Sequence, residues 1–170
     1  MAEVADEDAD VAAGEGGSGR FWSWILGAVS LVAGLTWILL HLGSPPDWAG
    51  VAVGTIIALG GLVLLMPHRV RLPGRAAGLV ALGAAVAGAL AGLLIESTAT
   101  CCAYAFSEGR GWPFEWLSRL GTGDSAETAR RVALGAGWDV GVAPLLLDVF
   151  VWAYAGILVL TLVTLLRRRR

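Results

Sequence analysis

Long apolar runs separated by short polar segments dominate the chain. Four runs, residues 21–42, 48–66, 76–95 and 142–166, contain no Lys or Arg. Each is long enough to cross about 30 Å of hydrocarbon as an α-helix that rises about 1.5 Å per residue. Helices satisfy their own backbone hydrogen bonds, which lipid cannot do. The pattern therefore predicts an all-α fold, an integral membrane four-helix bundle.

Composition agrees with this prediction. Hydrophobic residues make up 56% of the 170-residue chain and charged residues 15%, with a mean hydropathy of +0.71. A soluble domain carries about a quarter charged residues. The formal net charge of -2 and the dispersed arginines argue against a nucleic-acid partner. The lipid bilayer is the partner that the composition predicts.

The segments outside the runs differ in character. Residues 1–19 hold six acidic residues and almost no large apolar ones, which predicts a disordered acidic tail before a membrane domain at 20–170. The segment 97–141 is longer than a connection needs, and its aromatic residues argue against disorder. We expect a structured outer loop there, between the third and fourth spans.

Within that outer loop, residues 123–134 are expected to form a short amphipathic helix. Asp124 is its predicted N-cap and Glu127 the capping-box partner. Glu127 and Arg131 are spaced for an i,i+4 ion pair.

The arginines predict the orientation. Four spans place eight arginines on one side and four on the other; the eight are Arg20, Arg69, Arg71, Arg75 and Arg167 to Arg170. Basic residues concentrate in cytoplasmic segments. We therefore expect a multi-pass protein of the cell membrane with both termini in the cytoplasm.

Three ionisable residues, His41, Glu96 and Asp148, lie in or beside the runs and are candidates for ligand or ion binding. One interpretation is a proton relay or a cation site. The other is structural, with the carboxylates neutralised by arginines or backbone amides. In the structural case, Arg130 or Arg131 is the expected partner of Asp148.

Cys101 and Cys102 are adjacent and are the only cysteines. They are redox candidates, as a vicinal disulfide or as bridges between subunits, although they form no C-x-x-C motif. The alternative is two small apolar residues near the interface. Their spacing predicts no metal site.

The most distinctive string is GRGWPFEWL, at 109–117. It suits either an aromatic anchor in the headgroup layer or an outward interaction surface. The candidates for that surface are Arg110, Trp112, Phe114, Glu115 and Trp116. Together with the preceding cysteine pair and the following DSAETARR, the string resembles small uncharacterised bacterial four-span integral membrane proteins over residues 97–154. That resemblance implies no activity and no functional residue.

Small residues recur at helical spacing in three of the runs. They predict faces where helices approach closely, within the chain or between copies. The positions are Ser30 and Gly34, Gly50 and Gly54, and the face of Ala81, Ala85, Gly88 and Gly92.

No nucleophile triad, H-E-x-x-H, phosphate loop or dinucleotide motif is present in the sequence. We expect a non-enzymatic accessory or assembly subunit with its interaction surface at 97–141 and no cofactor. Its partner would be another membrane protein or a second copy. The first alternative is a small proton- or cation-coupled transporter or channel that uses Glu96 and Asp148. The second is a membrane thiol-redox protein that uses Cys101 and Cys102.

Overall fold

The computed structural model describes residues 3–43, 45–66, 74–101 and 104–168. These form two compact units, residues 1–72 and 73–170. The elements are α1 (Glu3–His41), α2 (Trp48–Leu65), α3 (Gly74–Gly92), β1 (Glu96–Cys101), β2 (Ala105–Arg110), β3 (Leu117–Thr122), α4 (Ala126–Gly135), β4 (Asp139–Val140) and α5 (Val142–Arg168).

Within the described ranges, three helical stretches are long and apolar enough to cross a membrane. They are Phe21–His41, Trp48–Leu65 and Val142–Arg167, with mean hydropathies of 2.0, 2.2 and 2.4. Only 17%, 33% and 22% of the residues in their most apolar windows are buried, as expected for helices that lipid surrounds. The apolar part of α3, Ala76–Gly92, is shorter. The chain is therefore mostly helical and has the character of a membrane protein.

The first unit is an antiparallel pair formed by α1 and α2. A Cβ on Gly34 would lie 2.5 Å from the Ala58 main-chain nitrogen and 2.7 Å from the Gly54 carbonyl oxygen, so the two backbones touch there. Gly27 and Gly61 make a second close approach. The predicted small residues Gly34 and Gly54 thus pack inside one chain, as small residues do between membrane helices.

Helix α1 begins at Glu3, within the segment predicted to be disordered. In the structure this segment is continuous with the helix of the apolar stretch. Extending a helix costs far less than starting one, and Ala and Glu are strong helix formers.

The second unit contains an antiparallel pair of α3 and α5. The Trp152 ring lies on Gly88, where an added Cβ would sit 2.1 Å from its Cδ2. One turn further along each helix, Gly156 faces Ala84, with 2.5 Å between its added Cβ and the Ala84 Cβ. Small residues on α3 therefore admit a large ring from α5, which is the close packing predicted for this face.

The chain between α3 and α5 contains an antiparallel sheet, so the all-α prediction holds only in part: the chain is mostly helical but not all-α. The strand order is β1-β2-β3-β4, with Glu96 opposite Arg110 and Glu108 opposite Arg119. These short strands mix Ser, Thr, Gly and charged residues, so they carry little of the apolar alternation that marks a half-buried strand. We call the part from Glu96 to Val140 the sheet module.

Helix α4 packs on the sheet through its two fully buried residues, Ala129 and Ala133. Gly121 of β3 makes this possible, because an added Cβ would lie 2.2 Å from the Ala129 carbonyl oxygen. The predicted helix is present, but its N-cap is Ser125 rather than Asp124. The Ser125 Oγ accepts a hydrogen bond of 3.2 Å from the Thr128 main-chain N–H.

Candidate functional site

A buried ion pair holds the centre of the sheet module. Glu108 is 3% exposed, and its Oε2 accepts hydrogen bonds from Nε of Arg119, at 2.9 Å, and from Nη2 of the same guanidinium. The strand register places these residues directly opposite each other on the face that α4 covers. Breaking a buried pair strands a charge, so this contact ties β2 firmly to β3.

A second arginine extends the pair into a network. The Nη2 of Arg110 lies 3.5 Å from Glu96 Oε2 and 3.7 Å from Glu108 Oε1. The ring of Trp138 lies beside both guanidiniums, 4.5 Å from that of Arg119 and 5.3 Å from that of Arg110. These cation–π contacts hold the chain after α4 against the sheet.

The loop from Gly111 to Trp116 folds back onto the helix pair α3/α5. Gly111 has φ +124°, a conformation that glycine adopts without strain. Trp112 lies over Gly92, and its carbonyl oxygen accepts a 3.0 Å hydrogen bond from Trp152 Nε1. The loop therefore caps the helix pair through its backbone and its rings.

This placement alters the predicted interaction surface. Trp112, Phe114 and Trp116 are half-buried by the fold, whereas Glu115 is exposed beside Gly109. The rings thus serve mainly to join the sheet module to the helices, and Arg110 belongs to the ion-pair network.

Asp148 of α5 is 0% exposed. The groups that face its carboxylate are the main chain of Phe114 and the indole N–H of Trp116. Among the described residues, neither carboxylate oxygen has a partner in good hydrogen-bond geometry, and the same holds for Trp116 Nε1. Burying a polar group without a well-aligned partner costs free energy, so a carboxylate at this position calls for an explanation.

The expected pairing of Asp148 with Arg130 or Arg131 is wrong. Arg131 lies on the exposed side of α4, with its Nη2 3.7 Å from Glu127 Oε1, the i,i+4 pair that the spacing predicts. Arg130 lines a cleft of about 450 Å³ between α4 and β1. Both point away because Ala129 and Ala133 occupy the face of α4 that packs on the sheet.

The remaining predicted ion-binding residues lie in separate contacts. Glu96 pairs with Arg110 on the sheet and does not share a contact with Asp148 among those described. His41 belongs to the first unit, where its Nδ1 lies 3.0 Å from the Trp37 carbonyl oxygen and its Nε2 3.7 Å from Asp47 Oδ2. There it closes the turn between α1 and α2.

The redox candidates lie at the edge of what the structure describes. The backbone of Cys101 ends β1 opposite Ala105, whereas the Cys101 side chain and all of Cys102 lie outside the described residues. Thiol chemistry at this pair stays a prediction. Within the described ranges, no three His, Cys, Asp or Glu residues form a group that could hold a metal ion.

Sequence reasoning missed Glu108, Arg119 and Trp138 as members of a site. The available signal was spacing by two: Glu96, Thr98 and Thr100 in one segment, and Glu108 and Arg110 in the next. Alternation of this kind places residues on one face of a strand. It identifies the partners only once the register is known.

Two apolar side chains of α4 flank the stripe of Ala129 and Ala133, one on each side, and the module does not bury them. Val132 is 48% exposed and Leu134 is 50% exposed. Leu120, on the opposite face of the sheet, is 62% exposed. These residues lie outside the apolar spanning stretches, so their exposure is not explained by lipid contact along a helix.

Comparison of the chain with protein-family models, with curated proteins and with solved structures found no match.

Proposed function

We propose that the chain is a non-enzymatic accessory or assembly subunit of the cell membrane that docks a partner through its sheet module. The observation that carries this proposal is the exposed apolar surface at the two flanks of the buried stripe of α4. The helix buries only Ala129 and Ala133 against the sheet and leaves Val132 and Leu134 about half exposed. Apolar surface that a folded module leaves exposed is where another protein can bury area on binding.

The charged network supports the proposal because it gives the docking surface a fixed conformation. The Glu108–Arg119 pair and the rings around it fix the sheet beneath α4. A surface that is already ordered loses little conformational freedom when it binds, so more of the contact energy remains as affinity.

The proposal includes four spanning helices, with both termini cytoplasmic and the sheet module outside. Helix α3 has 19 residues, about 28 Å at 1.5 Å per residue, close to the hydrocarbon thickness. It lies antiparallel to α5, as the contacts of Gly88 with Trp152 and of Gly156 with Ala84 require. A helix packed along a spanning helix shares its depth in the bilayer.

Matched substitutions test the docking face. The full-length tagged chain is purified from native membranes, and stoichiometric partners are quantified for wild type, Leu134→Asp and Leu120→Asp. Both substitutions replace an exposed leucine on the module, but on opposite sides of the sheet. We expect Leu134→Asp to lose the partner and Leu120→Asp to keep it. Equal retention in both variants, or a wild-type chain that purifies without a partner, contradicts the proposal.

Asp148 favours a second candidate function, proton transfer within the membrane. A fully buried carboxylate without a well-aligned partner on a spanning helix is a typical functional group in transporters. The contacts of Glu96 lie elsewhere, so this candidate rests on Asp148 alone. Proton flux into liposomes is measured for wild type, Asp148→Asn and the control Glu96→Gln. Flux that only Asp148→Asn abolishes supports this function, and flux equal to that of empty liposomes rejects it.

A further inference from the structure

Strand β1 forms an open edge of the sheet. It pairs with β2 on one side, in a continuous register from Glu96 opposite Arg110 to Cys101 opposite Ala105. The strand order leaves its other side without a neighbour among the described strands. The five side chains from Glu96 to Thr100 are all exposed. The outward backbone groups of β1 are therefore available to another strand.

The edge lacks the features that keep natural edge strands from pairing. Lysines, prolines, bulges and very short strands serve that purpose. Strand β1 has six residues, runs without a bulge and contains neither Lys nor Pro. Its one charge, Glu96, lies 3.5 Å from the Arg110 guanidinium of the neighbouring strand. The opposite edge is protected differently, because β4 has only two residues.

Symmetry restricts how such an edge meets its own copy. Two identical antiparallel edges are related by a twofold axis perpendicular to the sheet, which keeps each residue on its own face. Directly opposed residues of an antiparallel pair have their side chains on the same face. The axis therefore lies midway between one residue and the same residue of the second copy. An axis midway between the two copies of Thr98 pairs all five exposed residues of β1 with residues of the other copy. It sets Thr98 against Thr98, Glu96 against Thr100, and Ser97 against Ala99.

We propose that β1 pairs antiparallel with β1 of a second copy about an axis midway between the two copies of Thr98, which joins two four-stranded sheets into one of eight strands. The charge pattern favours a second copy as the occupant. No like charges oppose each other in this register, and a threonine pair at the centre is a favourable cross-strand contact. This self-association goes beyond the proposed docking on α4 and uses a different part of the module.

Two threonine substitutions on the same face of β1 test the register. Thr98→Lys places two lysines directly opposite each other, whereas Thr100→Lys places each lysine opposite Glu96 of the other copy. We expect Thr98→Lys to weaken the dimer about tenfold or more, since close like charges repel, and Thr100→Lys to keep or strengthen it. The mass of the purified full-length chain in detergent is measured by light scattering over a range of protein concentrations.

A mixing experiment separates repulsion from misfolding. Thr98→Glu should weaken self-association as Thr98→Lys does, and a mixture of the two variants should form heterodimers, because opposite charges then meet at the axis. The proposal is overturned if the wild-type chain stays monomeric, if the two lysine variants behave alike, or if the mixture stays monomeric. A dimer that persists in Thr98→Lys also overturns it and assigns self-association to another surface, such as the small-residue helix faces. These measurements use the chain alone, so their outcome is independent of docking on α4.

Discussion

Gly88 is the position where adding one methyl group should disturb the second unit most directly. In Gly88→Ala the new Cβ would lie 2.1 Å from Cδ2 and 2.2 Å from Cγ of Trp152. Ordinary carbon contacts are about 3.5–4 Å, so the indole must move by more than 1 Å. That ring also donates a 3.0 Å hydrogen bond to the Trp112 carbonyl oxygen, so its movement disturbs the capping loop as well.

The expected cost follows from three contributions. Overpacking a close helix contact costs about 1–3 kcal/mol. Losing the hydrogen bond to Trp112 adds about 0.5–1.5 kcal/mol. The higher helix propensity of alanine returns about 1 kcal/mol. We therefore expect Gly88→Ala to lower the free energy of unfolding by about 0.5–3.5 kcal/mol.

Gly83 of the same helix provides the matched control, because an added Cβ there meets nothing within 4 Å. Gly83→Ala should be neutral or should stabilise by up to about 1 kcal/mol. Thermal unfolding in detergent, followed by circular dichroism, compares the two variants. In a Trp152→Leu background the loss caused by Gly88→Ala should disappear, and the substitution should be neutral or should stabilise by up to about 1 kcal/mol as Gly83→Ala does, because the clashing ring is gone. Equal stability of Gly88→Ala and Gly83→Ala in the wild-type background would refute the packing of Trp152 on Gly88.

Three further predictions concern the sheet module and the topology. Glu108→Ala should destabilise the module by about 3–5 kcal/mol, because it leaves the buried Arg119 charge without its partner. Glu96→Ala removes an exposed ion pair and should cost less than about 1 kcal/mol. Thermal unfolding measures both losses, and equal losses would contradict the assignment of Glu108–Arg119 as the buried pair. Replacing both cysteines with serine should leave insertion and folding unchanged, since adjacent cysteines close no long loop; aggregation of that variant on extraction would refute this. In a cysteine-free background, Glu127→Cys should react with an impermeant maleimide in intact cells, and reaction only after permeabilisation would reverse the proposed orientation.

The helices could be predicted from the sequence because each depends on a long local pattern. The runs at 21–42 and 48–66 correspond to the apolar part of α1 and to α2. The summed free energy of transferring many apolar residues into lipid outweighs the cost of any single polar residue in the run. The small residues were equally informative, because a contact such as Gly34 with Ala58 needs only the absence of side chains.

The sheet could not be predicted, because its stability lies in contacts between segments distant along the chain. Glu108 and Arg119 become a pair only through the register of β2 and β3. The aromatic string was recognised as structured, but its direction depends on what lies beneath it. Trp112 lies against the helices because Gly92 leaves space for it, and Trp116 lies there with its indole facing the Asp148 side chain.

The capping loop makes the sheet module part of the helix pair rather than a separate appendage. Trp112 rests on Gly92 of α3 and accepts a hydrogen bond from Trp152 of α5, so one residue contacts both helices. The Trp116 carbonyl oxygen accepts a 2.7 Å hydrogen bond from the Gly141 N–H at the start of α5, while the Trp116 indole faces Asp148. Any displacement of the module therefore acts directly on the packing of α3 against α5. Asp148 lies at this junction, with its carboxylate facing the loop that joins the module to the helices.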